Sequence, residues 1–477
     1  MTFAVPVSGY FHGEDETLHK PISITTPYRS EHLSTINADA AGIDVGSQWH
    51  VVAVPPQRDP NPVRTFQSFT GDLQRLADWL VACGVKTVAM ESTGVYWIPL
   101  FEVLEARGLH VCVVNARDVK HVPGRKTDVN DAQWLQRLHT YGLLRASFHP
   151  AADIAALRVY LRQRERLLDY AAAHIQHMQK ALTQMNLQLH PVVTDITGVT
   201  GMRILRAILA GVRDPAVLAS YRDVRCKASV ETIERALQGH YQAEHLFALG
   251  QVVALYDTYQ THVAACGREI EAFLARLRIN PAPDGQPAPA RHRTRQANEP
   301  AFDVRAALTA AVGTDLTKIH GFGPYLALKM VSECGTDLSR WPTAQHVTSW
   351  LCLSPANKVS GGKVLSTRTR RSKNRASALL RLAAVNVGKT QTALGAFYRR
   401  LATRMGKAKA VTATARKLAV LFYNVLRYGK TYQDPGVEHY EQRYRARILQ
   451  NLTRRAKALG YHLEPDPLHS PVLSGVS

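Results

Sequence analysis

Ala38–Val54, ADAAGIDVGSQWHVVAV, reads as a strand, a tight turn near Gly46-Ser47, and a second strand from Trp49. The apolar run around Asp44 should be buried, with Asp44 in the middle of the first strand. Val63–Phe69 (VRTFQSF) alternates as a third strand. Leu73–Cys83 has helical spacing at Leu73, Leu76, Ala77 and Leu80, and Val85–Met90 (VKTVAM) is a short buried strand ending at Glu91. Tyr96–Arg107, between Gly94 and Gly108, reads as a helix, and His110–Asn115 (HVCVVN) as a fifth strand.

A basic loop, Asp118–Lys126, then leads into Gly124–Leu135, GRKTDVNDAQWL. Thr127 suits an N-cap, and Asp128 and Asp131, three residues apart, share one helix face. Acids in a first turn also simply suit the helix dipole, so this stretch alone fits an ordinary surface helix. The element order is β-β-β-α-β-α-β-α: three antiparallel strands, then a parallel continuation with crossover helices. That mixed α/β sheet is the order of the ribonuclease H-like (RuvC-like) fold. Its first and fourth strands are expected to be neighbours, so Asp44 and Glu91 can converge with the Asp128 helix. Four carboxylates from three elements are what a divalent-metal phosphoryl-transfer site needs.

Composition narrows the partners. The chain has 477 residues and a net charge of +21. Pro355–Lys430 holds 18 Lys or Arg and no acid, which points to a polyanion, nucleic acid before an anionic membrane. No apolar run reaches the roughly 18 residues of a membrane span, and the N-terminus lacks the order of a signal peptide. Six scattered cysteines without a CxxC pair fit a reducing cytoplasm and not a zinc knuckle.

The expected organisation is a disordered extension over 1–37, the acidic α/β domain over 38–150, and a helical arm over 151–280. A linker follows at 281–300, within the Pro-rich Asn280–Asn298, then a basic, mainly helical domain at 301–430 and a C-terminal helix and tail at 431–477. In the arm, Ala152–Leu189 repeats Leu161, Leu168, Ile175, Leu182 and Leu189 every seven residues. Leu157, Arg164, Ala171, Met178 and Met185 fill the seam, and only Arg164 breaks a coiled-coil pattern. After an insertion at Pro191–Gly239, Tyr241–Leu277 returns as a second long helix, antiparallel within the chain. Such an arm could dimerise.

In the basic domain, Ile319–Ala327 (IHGFGPYLA) has the look of a helix-hairpin-helix turn, whose Gly321 and Gly323 would let backbone N–H groups approach a phosphate. Ser354–Ser366 (SPANKVSGGKVLS) presents Ser360 in a flexible loop before Gly361-Gly362, flanked by Lys358 and Lys363. Ser354, Ser366 and Ser372 are rivals. Arg371, Lys373, Arg375 and Arg381 should contact nucleic-acid backbone as the loop enters the next helix.

Together GIDVGSQWHVVAV, AMESTGVYW, VPGRKTDVNDAQWLQRL and the joined IHGFGPYLALKMVSECG … WLCLSPANKVSGGK resemble the DEDD insertion-sequence transposases, the bridge-RNA-guided serine recombinases of the "IS-one-ten" family. The match covers about Ala40–Lys430. The resemblance implies that Asp44, Glu91, Asp128 and Asp131 bind Mg²⁺, two ions in all, and that Ser360 is the nucleophile. It implies a dimer assembling to a tetramer, with a composite site between subunits on a noncoding bridge RNA that pairs with donor and target DNA. Cleavage would leave a phosphoserine link, followed by strand exchange through a Holliday-junction-like intermediate, in the bacterial cytoplasm and at the nucleoid when active. The insertion at Pro191–Gly239 and the extension before Asn37 depart from the family pattern. A metal-dependent, junction-resolvase-like nuclease using water shares the fold and the four acids but needs no serine. A non-catalytic nucleic-acid-binding scaffold would need neither.

Overall fold

The computed structural model describes residues 34–92, 94–115, 128–277, 298–372 and 374–464. Most of the expected N-terminal extension, the loop 118–126 with Thr127, and nearly all of the Pro-rich linker lie outside the described residues. The chain divides into two compact units, one ending at Phe148 and the other beginning at His149.

The first unit is built on β1 (Ala40–Val45), β2 (Trp49–Ala53), β3 (Val63–Gln67), β4 (Thr87–Ser92) and β5 (His110–Asn115), with α1 (Thr70–Ala82), α2 (Trp97–Ala106) and α3 (Asp128–Thr140). The sheet order is β3-β2-β1-β4-β5. β1, β2 and β3 pair antiparallel, whereas β1–β4 and β4–β5 pair parallel. This is the expected mixed sheet, consistent with a ribonuclease H-like domain. One sheet face packs Ala41, Ile43, Val45, Val88 and Met90 against Leu76 and Leu80 of α1 and Leu100 and Leu104 of α2. Full burial of each of the larger side chains here stabilises by roughly 1.5–3 kcal/mol. The opposite face is covered by α3, which packs on β1, β2 and β4.

The second unit is mainly helical. Its long helices are α4 (Ala152–Gln184) and α9 (Ala243–Arg276), joined through α5 (Leu189–Val192), α6 (Val199–Leu209), α7 (Pro215–Ser220) and α8 (Val230–Ala236). Tyr160 meets Phe273 and Tyr170 meets Tyr259, so the two long helices run antiparallel. α4 ends five residues earlier than the heptads suggest, because Asn186 takes a left-handed φ of 54°. Leu189 therefore starts α5 and joins the core of the insertion, with Ile204, Leu205, Leu218 and Ile233.

Then follow α10 (Val304–Val312), α11 (Pro324–Cys334), α12 (Ala344–Trp350), the strands β6 (Lys358–Ser360) and β7 (Lys363–Ser366), α13 (Arg375–Val387), α14 (Ala393–Met405), α15 (Lys407–Tyr428) and α16 (Gly436–Ala458). α11 packs on α4 and α10 on α9. α16 is the expected C-terminal helix, and it packs on α14, Tyr440 meeting the Phe397 ring edge-on at 6.3 Å. The expected flexible loop around Ser360 is instead an antiparallel β-hairpin. Gly361 and Gly362 both have positive φ, 52° and 74°, which makes a two-residue turn whose twist matches the strands.

Candidate active site

The helix α3 is placed by its own pattern. Ala132, Leu135 and Leu138 recur every three residues and are buried, Leu135 against Cys112 and Val114 of β5. Its C-terminus is closed by Gly142 at φ 66°, with Gly142 N–H donating to the His139 carbonyl and Leu143 N–H to the Leu138 carbonyl. The segment before β1 completes the cap. Asn37 Nδ2 donates to the His139 carbonyl at 2.7 Å, and Ile36 and Asn37 N–H both donate to the Thr140 carbonyl.

On the sheet, Gly42 faces α3 so closely that a Cβ there would meet the Ala132 carbonyl and the Gln136 backbone. Strand alternation puts Asp44, two residues on, on the same face. β4 pairs parallel with β1 at Ile43↔Met90, so Asp44 and Glu91 each stand one residue beyond that pair, side by side. Glu91 is opposite Val114, whose side chain packs on α3, so Glu91 also faces the helix. Asp131 immediately precedes Ala132, the residue that touches Gly42. The structure thus brings Asp44, Glu91 and Asp131 to one face at the C-terminal end of β1 and β4.

Asp128 is the first residue of α3, one turn before Asp131, and its side chain lies outside the described residues. Among the described residues, Asp44, Glu91 and Asp131 included, no group of three or more His, Cys, Asp or Glu is placed to hold a metal ion. The donor chemistry of Asp44, Glu91 and Asp131, all hard carboxylate oxygens, suits a divalent cation of the Mg²⁺ or Mn²⁺ type.

His139 ties this helix to the sheet. It is buried, its Nε2 lies 2.8 Å from Thr87 Oγ1 of β4, and burial, then the nearby His110, hold its pKa down to about 4. The imidazole is therefore neutral at pH 7.

Ser360 belongs to the second unit. It ends β6 opposite Lys363, is exposed like Lys358 and Lys363, and its hydroxyl has no hydrogen-bond partner among the described residues. The rival serines are engaged. Ser354 Oγ is 2.8 Å from Thr348 Oγ1, Ser366 Oγ accepts from Arg368 N–H, and Ser372 Oγ accepts from Asn374 N–H. The hairpin is extended at its base by Ala356 N–H donating to the Arg368 carbonyl.

The residues expected at nucleic acid are placed differently from one another. Gly323 caps α11 in extended backbone. Gly321 has φ 91° and abuts α13, where a Cβ would meet Val387 and the Ala383 carbonyl, so its lack of a side chain serves packing in any case. Arg371 is exposed, and Lys373 lies outside the described residues. Arg381 Nη1 donates to Ser377 Oγ at 3.0 Å. Arg375 pairs with Glu165 of α4 and lies 3.3 Å from Glu333 of α11. That pairing joins a cluster of Arg158, Arg162, Glu165, Lys329, Glu333 and Arg375, which no local motif announces. Gly42 did carry a signal: a glycine inside a strand run marks close backbone approach.

A family model described as Transposase, of the DEDD type of the IS110 group, matches residues 41–187, from β1 to just past the end of α4. A second, described as Transposase IS116/IS110/IS902 family, matches residues 313–399 and takes in the Ser360 hairpin. No curated protein matches the chain. The chain belongs to the IS110 family of DEDD transposases, and it is an enzyme acting on DNA.

Proposed function

We propose that the enzyme cuts and rejoins DNA through a serine–phosphodiester link, with Mg²⁺, two ions, held by Asp44, Glu91, Asp128 and Asp131 and with Ser360 as the nucleophile. The observation that carries this reading is the register of β1 and β4, which sets Asp44 beside Glu91 on the face covered by the Asp131 helix. A divalent cation bound there supplies Lewis-acid polarisation of a phosphate and lowers the pKa of an attacking hydroxyl.

Ser360 stands on a turn whose next two residues have no side chains, so its hydroxyl can approach a phosphodiester unobstructed. Lys358 and Lys363 offset the charge of the phosphate oxygens. Attack forms the Oγ–P bond, breaks the bond from phosphorus to one sugar oxygen, and leaves that oxygen with the proton. The phosphodiester is exchanged and not hydrolysed, which keeps the link available for rejoining. Site choice rests with a noncoding bridge RNA pairing with donor and target DNA, as RNA-guided nucleases delegate sequence reading to a guide. The acid-free basic segment holds backbone, Gly321, Gly323, Arg371, Lys373 and Arg381 among its contacts, and the chain works as a dimer assembling to a tetramer.

One observation favours the water-using nuclease instead. A hydroxyl with no base beside it is a weak nucleophile, and Ser360 has no partner among the described residues. Incubation of the protein with flanking-element RNA, donor and target DNA and Mg²⁺, followed by denaturing electrophoresis and mass mapping, separates the two. A covalent adduct at Ser360, lost in Ser360→Ala and in Asp44→Asn with nucleic-acid binding retained, is expected. Cleavage without an adduct, equal in Ser360→Ala, would sink the serine reading.

A further inference from the structure

Between α14, α15 and α16 lies a groove of about 1610 Å³ that runs to the base of the β6–β7 hairpin. Its cations are Lys409, Arg416 and Lys417 of α15, Arg443 and Arg447 of α16, and Arg368 beside β7, and no Asp or Glu lines it. Glu441 of α16 pairs with Arg400, and Asp434, just before α16, accepts from Tyr432 Oη and Ala393 N–H. Lys417 has its pKa lowered by burial first, and then by the like charges of Arg447 and Arg443. With no acid in the lining, an extended polyanion suits such a cluster, because the cations span two helices and a hairpin.

Aromatic rings are interleaved with these charges. Phe397, Tyr432, Tyr440 and Tyr444 line the groove, Lys417 lies 4.6 Å from the Phe397 ring, and Tyr440 and Tyr444 stack at 6.5 Å. A basic track with rings along it suits unpaired nucleotides, whose bases have free π-faces, and not a duplex, whose bases are already stacked. Most of these residues lie beyond residue 399, where the family match ends.

We propose that this groove binds single-stranded DNA, and specifically the strand that continues from the phosphate at Ser360. The direction of the strand rests on the serine reading; the binding does not. Ser366, Thr367, Arg368 and Thr369 line the groove where β7 leaves the hairpin, and the four residues of β7 span only about 13 Å from the Ser360 turn. DNA is the occupant because DNA is this enzyme's substrate, and strand exchange must expose unpaired segments.

The test is fluorescence anisotropy of the full chain with a labelled single-stranded DNA, the same sequence as duplex, and the same sequence as single-stranded RNA. Arg443→Glu/Arg447→Glu should weaken single-stranded DNA binding by tenfold or more and reduce the salt slope by about 1.4, for two phosphate contacts at about 0.7 each. Arg443→Lys/Arg447→Lys should restore it, and duplex affinity should change little. Unchanged affinity for single-stranded DNA, an equal loss for duplex, or a larger loss for RNA would overturn the proposal. Should the double variant not fold, photo-cross-linking of iodouracil-substituted single-stranded DNA to the wild-type chain replaces it. Adducts on Tyr440 or Tyr444 are expected, and adducts confined elsewhere overturn the assignment. Ser360→Ala should bind the single strand as the wild type does, so a failure of the serine reading leaves this result standing and the reverse.

Discussion

Gly42 of β1 and Ala132 of α3 meet backbone to backbone, with the Ala132 carbonyl occupying the space a Cβ would need. This contact sets the distance between the sheet and the helix that carries Asp128 and Asp131. Gly42→Ala should force α3 outward and cost about 1–3 kcal/mol, the usual range for overpacking. DNA cleavage should fall with it, while anisotropy with duplex DNA stays near wild type if, as proposed, the basic second unit holds the duplex. Normal cleavage with an unshifted melting temperature would show that the contact is slack.

Arg164 is the one residue that interrupts the heptads of α4, and it is 3% exposed. Its Nη1 donates to the Asn298 carbonyl and to Tyr325 Oη, and the guanidinium lies 5.2 Å from the Tyr325 ring. The interruption is thus a tether to α11. Arg164→Ala should destabilise by about 2–5 kcal/mol, through a cavity and lost partners. Arg164→Met, which keeps the volume and removes a buried charge that no described carboxylate meets, should lie within about 1.5 kcal/mol of wild type. Urea unfolding of both variants checks the contrast.

Glu333 gathers three arginines on one carboxylate. Arg162 Nη2 is 2.8 Å away, Arg375 Nε 3.3 Å and Arg158 Nε 3.6 Å. The carboxylate is mostly buried, and Arg158 also donates to the Ser332 and Glu333 carbonyls at the end of α11. Glu333→Gln should destabilise by about 1–3 kcal/mol, because it leaves the mostly buried Arg158 without a counter-charge while water screens the more exposed Arg162 and Arg375. A change below about 1 kcal/mol in chemical denaturation would mean that the cluster is solvated.

His139 makes stability depend on pH in a defined direction. Its folded pKa is lowered to about 4, by burial first, from an ordinary value of 6.5. Between those values the unfolded chain binds a proton that the folded chain does not. The stabilisation is complete above pH 6.5 and is lost as pH falls toward 4, by about 3 kcal/mol in all. His50, also lowered by burial, adds in the same sense. Denaturation midpoints at pH 7, 5.5 and 4.5 should fall in order, and His139→Gln should flatten the decline. An equal slope in that variant would place the dependence elsewhere.

Much of the first unit was legible in the chain itself. Apolar alternation and turn residues located all five strands, and their spacing implied the mixed sheet that is observed, since these signals are local and each strand is short. The existence of the two long helices was legible in their periodicity, whereas their antiparallel packing is read from the contacts of Tyr160 with Phe273 and Tyr170 with Tyr259. The boundaries were less exact where one residue's backbone decided them, as Asn186 does at the end of α4. Reading Gly361-Gly362 as mere flexibility missed the hairpin, because two glycines can loosen a loop or close a tight turn, and the flanking strands decide which.

What the sequence by itself determined is which elements exist, that Asp44 and Glu91 ride on the first and fourth strands, and that positive charge collects after residue 355. Only the tertiary structure decided that Gly42 is the seat of α3, that Arg164 holds α11, that Arg375 is committed to Glu165 and Glu333, and that cations and rings from α14, α15 and α16 share one groove. The physical reason is one of range. Periodicity and propensity act over a few residues, whereas Arg164 and Tyr325 are 161 residues apart, and such pairings exist only once the chain has folded.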